Sequence, residues 1–219
     1  MPQIKNKSYR EFIDTGLITL YSEEEFKKHL AEIKPRKEPE AWRYFCILLF
    51  YSGRRPIEVL QLERNQVNKK GKFVTILFKT AKKGRASLTY YHTKRLPLML
   101  EFWEWFKNFF PKEKPLMMLG AAQMVKVRYY TKPSKDYPGG EFREKEYPRP
   151  TKNLTHYFTE WFGVPPYFFR HNRASDMAEK GASGTQIAHQ RGTSMAATER
   201  YMHLSEKRAK QTSKFIGDD

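Results

Sequence analysis

The chain has 219 residues and a mass of 26.1 kDa, which suits one large domain or two small ones able to bury a core without disulfides or metals. Its 39% hydrophobic and 15% aromatic content excludes a disordered chain, and the lone Cys46 excludes an internal disulfide and a cysteine-rich zinc site. The charge is more telling: 41 Lys+Arg against 24 Asp+Glu, a net +17, points to a polyanionic partner, nucleic acid before a membrane surface.

Residues 1–20 read as a short basic arm and residues 21–219 as one domain. Ser22-Glu23-Glu24-Glu25 is a capping box, in which the Ser hydroxyl accepts a first-turn amide and Glu25 reaches back. It predicts a helix to about Ile33, closed by Lys34-Pro35. Pro39 opens a second helix, with Trp42, Phe45, Cys46, Leu48 and Leu49 at helical spacing, ending near Ser52-Gly53. Pro56 at a first-turn position opens a third, over Ile57 to Leu62.

Next come two β-branched or aromatic runs, Phe73 to Phe78 and Ser87 to Tyr91. Joined by Lys82-Lys83-Gly84-Arg85, they predict a hairpin with a basic tip. Around it, from Arg64 to Arg95, lie ten Lys/Arg and no Asp/Glu. A helix from about Leu98 to Phe110 carries Phe102, Trp103, Phe106 and Phe110 as core. Between Lys112 and Pro150 the pattern is weak. Tyr137-Pro138-Gly139-Gly140 is a turn there, and its basic, Tyr-rich flanks fit either a second hairpin or a loop. Helices resume at about Lys152–Phe162, Phe168–Lys180, Thr185–Gln190 and from Ser194 onward. The expected fold class is α+β, mainly helical with a small antiparallel sheet.

The missing motifs narrow the chemistry. No Gly-rich loop ends in Lys-Ser/Thr, so ATP-driven work is not expected. The six histidines never take the spacing of two metal ligands on one helix face, and the strand region is basic where a two-metal nuclease would carry carboxylates. If the chain cuts nucleic acid, it is expected to do so without metal. Met1-Pro2-Gln3-Ile4-Lys5 begins no signal-peptide h-region, and no apolar run approaches the ~18 residues of a membrane span.

Metal-free phosphoryl transfer needs donors for the non-bridging oxygens, an acid for the leaving alkoxide and an in-line nucleophile. Guanidinium suits the first need, because its rigid fork matches two phosphate oxygens and it stays charged. One arginine stands at a helix-turn junction, Ser52-Gly53-Arg54-Arg55-Pro56-Ile57-Glu58, and a second in Tyr167-Phe168-Phe169-Arg170-His171-Asn172-Arg173. Hairpin lysines can supply the acid, and Tyr201 in Thr198-Glu199-Arg200-Tyr201-Met202-His203 the nucleophile.

In this order and spacing, the chain from about Leu20 onward resembles the catalytic domain of tyrosine recombinases, the phage-integrase family. Tyr51 to Leu62 is similar to the first arginine box, Thr-Gly-x-Arg-x-x-Glu-x-x-x-Leu, with Gly53, Arg55 and Glu58 in place. Phe78-Lys79-Thr80 before a basic turn resembles the Lys-Thr hairpin, which implies Lys79 as the acid, with Lys82 the fallback. Phe169 to Ser175 resembles the second box, commonly Leu-Arg-His-Ser-x-Ala-Thr, and supplies Arg170. Thr198-x-x-Tyr201-x-His203 resembles the tyrosine box. Two positions depart from the pattern. Tyr167 stands where the family has His three residues before the second arginine, and Arg191-Gly192 where it has a Gly-His pair.

The resemblance implies a site-specific DNA recombinase that needs no cofactor. Tyr201 would attack a DNA phosphate held by Arg55, Arg170 and Arg191, leaving a 3′-phosphotyrosyl link while Lys79 protonates the 5′ oxygen. Lys82, Lys83 and Arg85 on the hairpin, with Arg173 beside the second box, are the expected DNA contacts. His171 is read as a structural hydrogen-bonder, and Tyr167 as either a packing residue or a donor. Duplex DNA is the expected partner, with a tetramer at synapsis, no membrane, and a cytoplasmic setting on nucleoid or host-cell DNA. The family's separate N-terminal clamp domain has no counterpart in the sequence. Two rival readings remain open: a relaxing topoisomerase of type IB chemistry, and an inactive DNA-binding module descended from an integrase.

Overall fold

The structure is a computed structural model that describes residues 21–33, 39–79, 86–109, 122–131, 133, 138–150, 152–199 and 201. The N-terminal arm and the hairpin tip with Lys82, Lys83 and Arg85 lie outside the described residues.

The capping box forms as read. Ser22 donates its N–H to Glu25 Oε2 at 2.8 Å, and Glu25 donates its N–H to Ser22 Oγ at 3.1 Å, opening α1 (Glu23–Glu32). α2 is Pro39–Ser52 and α3 is Pro56–Leu60, which ends two residues before the predicted Leu62. Much later in the chain come α5 (Lys152–Phe162) and α6 (Pro166–Glu179). These helices lock together through phenylalanines. Phe26 of α1 stacks on Phe50 of α2 with ring centroids 4.0 Å apart, and meets Phe162 of α5 and Phe169 of α6 at 5.8 and 5.7 Å. Such ring pairs add specific geometry to the burial of large apolar area. Cys46 lies in the same core, where burial pushes its thiol well up and leaves it unreactive.

One polar clamp closes this helical layer. The Asn172 side chain accepts the Tyr21 N–H at 2.7 Å and donates to the Tyr21 carbonyl at 3.1 Å. Tyr21 also donates its hydroxyl to the Phe162 carbonyl.

The sheet has three antiparallel strands in the order β1 (Val67–Lys70), β2 (Phe73–Lys79) and β3 (Ala86–His92). β2 buries Val74, Ile76 and Phe78 in strict alternation against α4 (Pro97–Phe109) and α3. The edge strand β1 was not predicted. Of its four residues, Val-Asn-Lys-Lys, Val67 alone is apolar, and it pairs with Ile76. On α4, Phe102 and Phe106 are core, as read.

The weak stretch resolves into the hairpin alternative: β4 (Ala122–Tyr130) pairs antiparallel with β5 (Phe142–Pro150). Its register sets Arg128 opposite Glu144, a pair of opposite charges that supports the pairing. β5 lies against α3. The last described helix, α7, is Gly184–Arg191. Residues 196–198 form a turn and helical backbone is found at 199 and 201, so the helix predicted from Ser194 starts later. No helix of the described residues is long and apolar enough to cross a membrane.

Candidate active site

The site is assembled by the end of a short helix. α7 opens with a capping box between Ser183 and Gln186 and stops at Gly192, whose φ of +59° is the left-handed conformation that favours glycine. The last carbonyls of any helix lack intrahelical partners and carry its negative dipole end. Here two arginines from elsewhere supply them with donors. Arg170 Nη1 on α6 donates to the Arg191 carbonyl at 3.0 Å, and Arg54 Nη2 donates to the His189 carbonyl at 3.4 Å. Ser87 Oγ of β3 also donates to the His189 carbonyl, at 3.2 Å, tying the sheet to the same point.

Arg170 binds a second carbonyl, that of Gly53, at 3.0 Å. Gly53 has φ +60°, and a Cβ built on it would lie 2.9 Å from Arg173 Cβ, so the turn between α2 and α3 needs glycine twice over. The turn delivers Arg55, which precedes the first residue of α3. Buried Glu58 accepts the Arg55 N–H at 3.2 Å and its Nη1 at 2.8 Å, which fixes the aim of the guanidinium. Pro56 tolerates the first helical position because that N–H would have no partner there.

Arg54, Arg55 and Arg191 thus neighbour Arg170, with the carboxylate of Glu58 among them. Burial, reinforced by Arg191 and Arg55, pulls the Arg170 guanidinium well below the usual arginine range, while Glu58 opposes the shift. Burial also lowers Arg54, partly offset by Tyr91 and Glu58 and reinforced by Arg55. An anion entering this cluster would relieve that cost.

Tyr201 stands beside the cluster. It is buried, 3% exposed, among Ala174, Ala178 and Ile187. The Arg191 guanidinium lies over its ring at 4.6 Å, and its hydroxyl is 2.7 Å from His171 Nδ1. Thr198 anchors the segment, donating its hydroxyl to the Met195 carbonyl at 2.6 Å and accepting the Tyr201 N–H on its own carbonyl at 2.9 Å.

The structure therefore brings Arg55, Arg170, Arg191 and Tyr201 together. Lys79 is different. It ends β2, 53% exposed, and its ammonium pairs with Glu63 at 2.9 Å. Arg173 is half-buried, pairs with Asp176 at 2.8 Å and packs its stem under Gly53, so it braces the turn. Tyr167 is 50% exposed, near the start of α6. His189 offers its carbonyl to the cluster while its side chain is exposed. Sequence reasoning missed Arg54, a residue between Gly53 and Arg55 that is wholly buried, over the Phe78 ring at 4.9 Å. It also missed the pairing of His171 with Tyr201, which lies thirty residues away. No cluster of three or more His, Cys, Asp or Glu side chains able to hold a metal ion occurs among the described residues.

No family model matches the sequence, and no curated protein matches it. Solved structures do match the fold. The XerH site-specific recombinase in a post-cleavage complex with palindromic difH substrate superposes with a TM-score of 0.62 at 15% identity, over 91% of this chain and 54% of that one. The same recombinase in a pre-cleavage complex gives 0.58 at 17% identity, over 88% and 52%. The XerA recombinase gives 0.57 at 13% identity, over 100% of this chain and 67% of that one. The chain thus spans about half the length of the XerH recombinase. With its helical layers, its small antiparallel sheet and these neighbours, the chain has the catalytic-domain fold of the tyrosine recombinases.

Proposed function

We propose that the chain breaks and rejoins duplex DNA as a site-specific recombinase, with Tyr201 as nucleophile. The observation that carries this reading is the gathering of arginines from three separate elements beside Tyr201: Arg191 of α7 lies over its ring, Arg170 of α6 binds the Arg191 carbonyl, and Arg55 of the Gly53 turn neighbours Arg170. Cations held by main-chain carbonyls and by Glu58 are oriented before any substrate arrives, the condition under which they stabilise developing phosphate charge most effectively. The net charge of +17 supports a DNA partner, and the XerH neighbours are recombinases caught on DNA before and after cleavage.

In this mechanism the Tyr201 oxygen attacks phosphorus while Arg55, Arg170 and Arg191 bind the non-bridging oxygens. The bond to the 5′ oxygen breaks, Lys79 protonates that oxygen, and a 3′-phosphotyrosyl ester remains. The ester keeps the energy of the phosphodiester, so rejoining needs no nucleotide cofactor. Exchange between two duplexes would require copies of the chain to assemble on DNA, as a tetramer at synapsis.

The test is incubation with nicked suicide duplexes drawn from a pool of randomised sequence, followed by denaturing electrophoresis. Wild type should form a covalent protein–DNA adduct, and Tyr201→Phe should bind the duplex and form none. Duplex binding without any adduct in wild type would leave the inactive DNA-binding module. An adduct with relaxation of supercoiled DNA but no exchange between two marked duplexes would leave the topoisomerase.

A further inference from the structure

A neutral phenol, with an ordinary pKa of about 10, is a poor nucleophile, so the Tyr201 proton must go somewhere as the oxygen attacks. The groups around it differ sharply in their capacity to take it. Arg191 over the ring and Arg170 and Arg55 beyond it are guanidinium ions, which donate and cannot accept. Glu58, from α3, already accepts two N–H groups of Arg55. Lys79 is an ammonium engaged with Glu63 at the sheet end. Tyr167, at the position where the sequence invited a donor, is exposed at the start of α6. His171 Nδ1 alone among these groups lies within hydrogen-bond reach of the Tyr201 oxygen, at 2.7 Å.

We propose that His171 is a catalytic residue that accepts the Tyr201 proton at Nδ1 as the phenolic oxygen attacks phosphorus. The proposal rests on the reading of Tyr201 as the nucleophile. The Tyr201 O–H bond breaks and its proton passes to Nδ1, while the Tyr201 O–P bond forms. The P–O5′ bond breaks with its electron pair on the 5′ oxygen, which Lys79 protonates. In rejoining, the imidazolium returns its proton to the departing phenolate. No oxidant or co-reactant enters. Nδ1 can accept only if Nε2 carries the ring proton, so the mechanism specifies the tautomer.

The placement suits the task. His171 follows Arg170 on α6, so the proton acceptor and one phosphate donor ride on a single helix. Arg191 from α7 lies over the Tyr201 ring, and the charged groups near Arg170 are Arg191, Arg54, Arg55 and Glu58. Apart from Glu58 all are cations, and they favour the negative charge that builds on the phenolic oxygen and the phosphate.

The test uses the full chain and a nicked duplex selected for adduct formation from a randomised pool. His171→Asn keeps a hydrogen-bonding group near the Nδ1 position but cannot take up a proton. It should bind the duplex normally and form adduct roughly 10²-fold more slowly, the lower end of general-base effects. Replacing Tyr201 with 3,5-difluorotyrosine, whose hydroxyl is far more acidic, should restore most of that loss. Nitrogen-15 NMR of the free protein supplies a readout independent of activity: His171 should carry its proton on Nε2, with an Nδ1 signal that moves in Tyr201→Phe. A His171→Asn variant as fast as wild type would overturn the proposal while leaving Tyr201 as nucleophile. A faster variant would show that the hydrogen bond holds the tyrosine away from phosphate, and would overturn it too. Rescue failing with the acidic phenol, or a proton on Nδ1, would do the same. If no duplex in the pool yields adduct with wild type, the recombinase reading itself falls and this one with it.

Discussion

The arginine cluster and the Lys79 strand end are two halves of one candidate site in opposite physical regimes. Arg170 and Arg191 are buried, Arg170 shares one nitrogen between two carbonyls from different elements, and the Arg55 guanidinium is pinned by a buried carboxylate. Lys79 is exposed and holds a single carboxylate, Glu63, across a surface ion pair. Buried charges whose partners are removed cost about 3–5 kcal/mol, whereas exposed pairs are worth 0–1 kcal/mol at the median. The helical half therefore couples function to folding, and the sheet half can change its chemistry at little cost in stability.

The sharpest separation of the halves should come from the leaving group. Lys79→Ala should lose roughly 10²- to 10⁴-fold in adduct formation on ordinary DNA, the range for removal of a general acid, with its melting temperature nearly unchanged. A 5′-bridging sulfur leaves as a thiolate, whose conjugate acid has a pKa of about 8.5 and hardly needs a proton. Lys79→Ala should therefore cleave the sulfur-bridged duplex nearly as fast as wild type, while Arg55→Ala stays slow on both. Rescue of Lys82→Ala in place of Lys79→Ala would move the acid to the hairpin turn.

Gly53→Ala addresses the buried half through the backbone. Its φ of +60° costs a side chain about 1–3 kcal/mol, and the close approach to Arg173 Cβ forces a further shift. For a chain of this size that corresponds to a fall of roughly 5–10 °C in melting temperature, measured by circular dichroism. The displaced Gly53 carbonyl should also weaken duplex binding through Arg170. An unchanged melting temperature would mean that the turn is not the joint holding the cluster.

The smallest effect belongs to Glu63→Gln. Releasing the Lys79 ammonium from its ion pair should raise the adduct rate by no more than about fivefold, the factor that matches a ~1 kcal/mol surface pair. A drop of more than that would show that Glu63 positions Lys79 and does not compete for it.

The parts legible in the sequence were those written in local spacing. The Ser22–Glu25 box, the Gly53-Arg54-Arg55-Pro56 junction and the alternation of Val74, Ile76 and Phe78 each declare their structure within a few residues. The parts that were not legible depend on tertiary neighbours. β1 is a strand because Val67 finds Ile76, although Asn-Lys-Lys has little strand preference of its own. Arg173 reads as a free cation until Asp176 and the Gly53 turn occupy it. Arg54 has the signature of a surface residue, and its burial rests on the carbonyl end of α7 and the Phe78 ring, both distant in sequence. The tyrosine's partner was hidden for the same reason, since α6 and the turn after α7 meet only in the fold.

The amide clamp between Asn172 and Tyr21 has a mechanical consequence. A side chain that holds both polar groups of one peptide residue acts as a mooring, and this mooring sits two residues along α6 from Arg170. Traction on the chain ahead of Tyr21 is delivered to α6 before it can peel α1 away. Whatever is joined upstream of residue 21 is hitched to the helix that carries Arg170 and His171, and a stiff attachment there would tug on that helix directly.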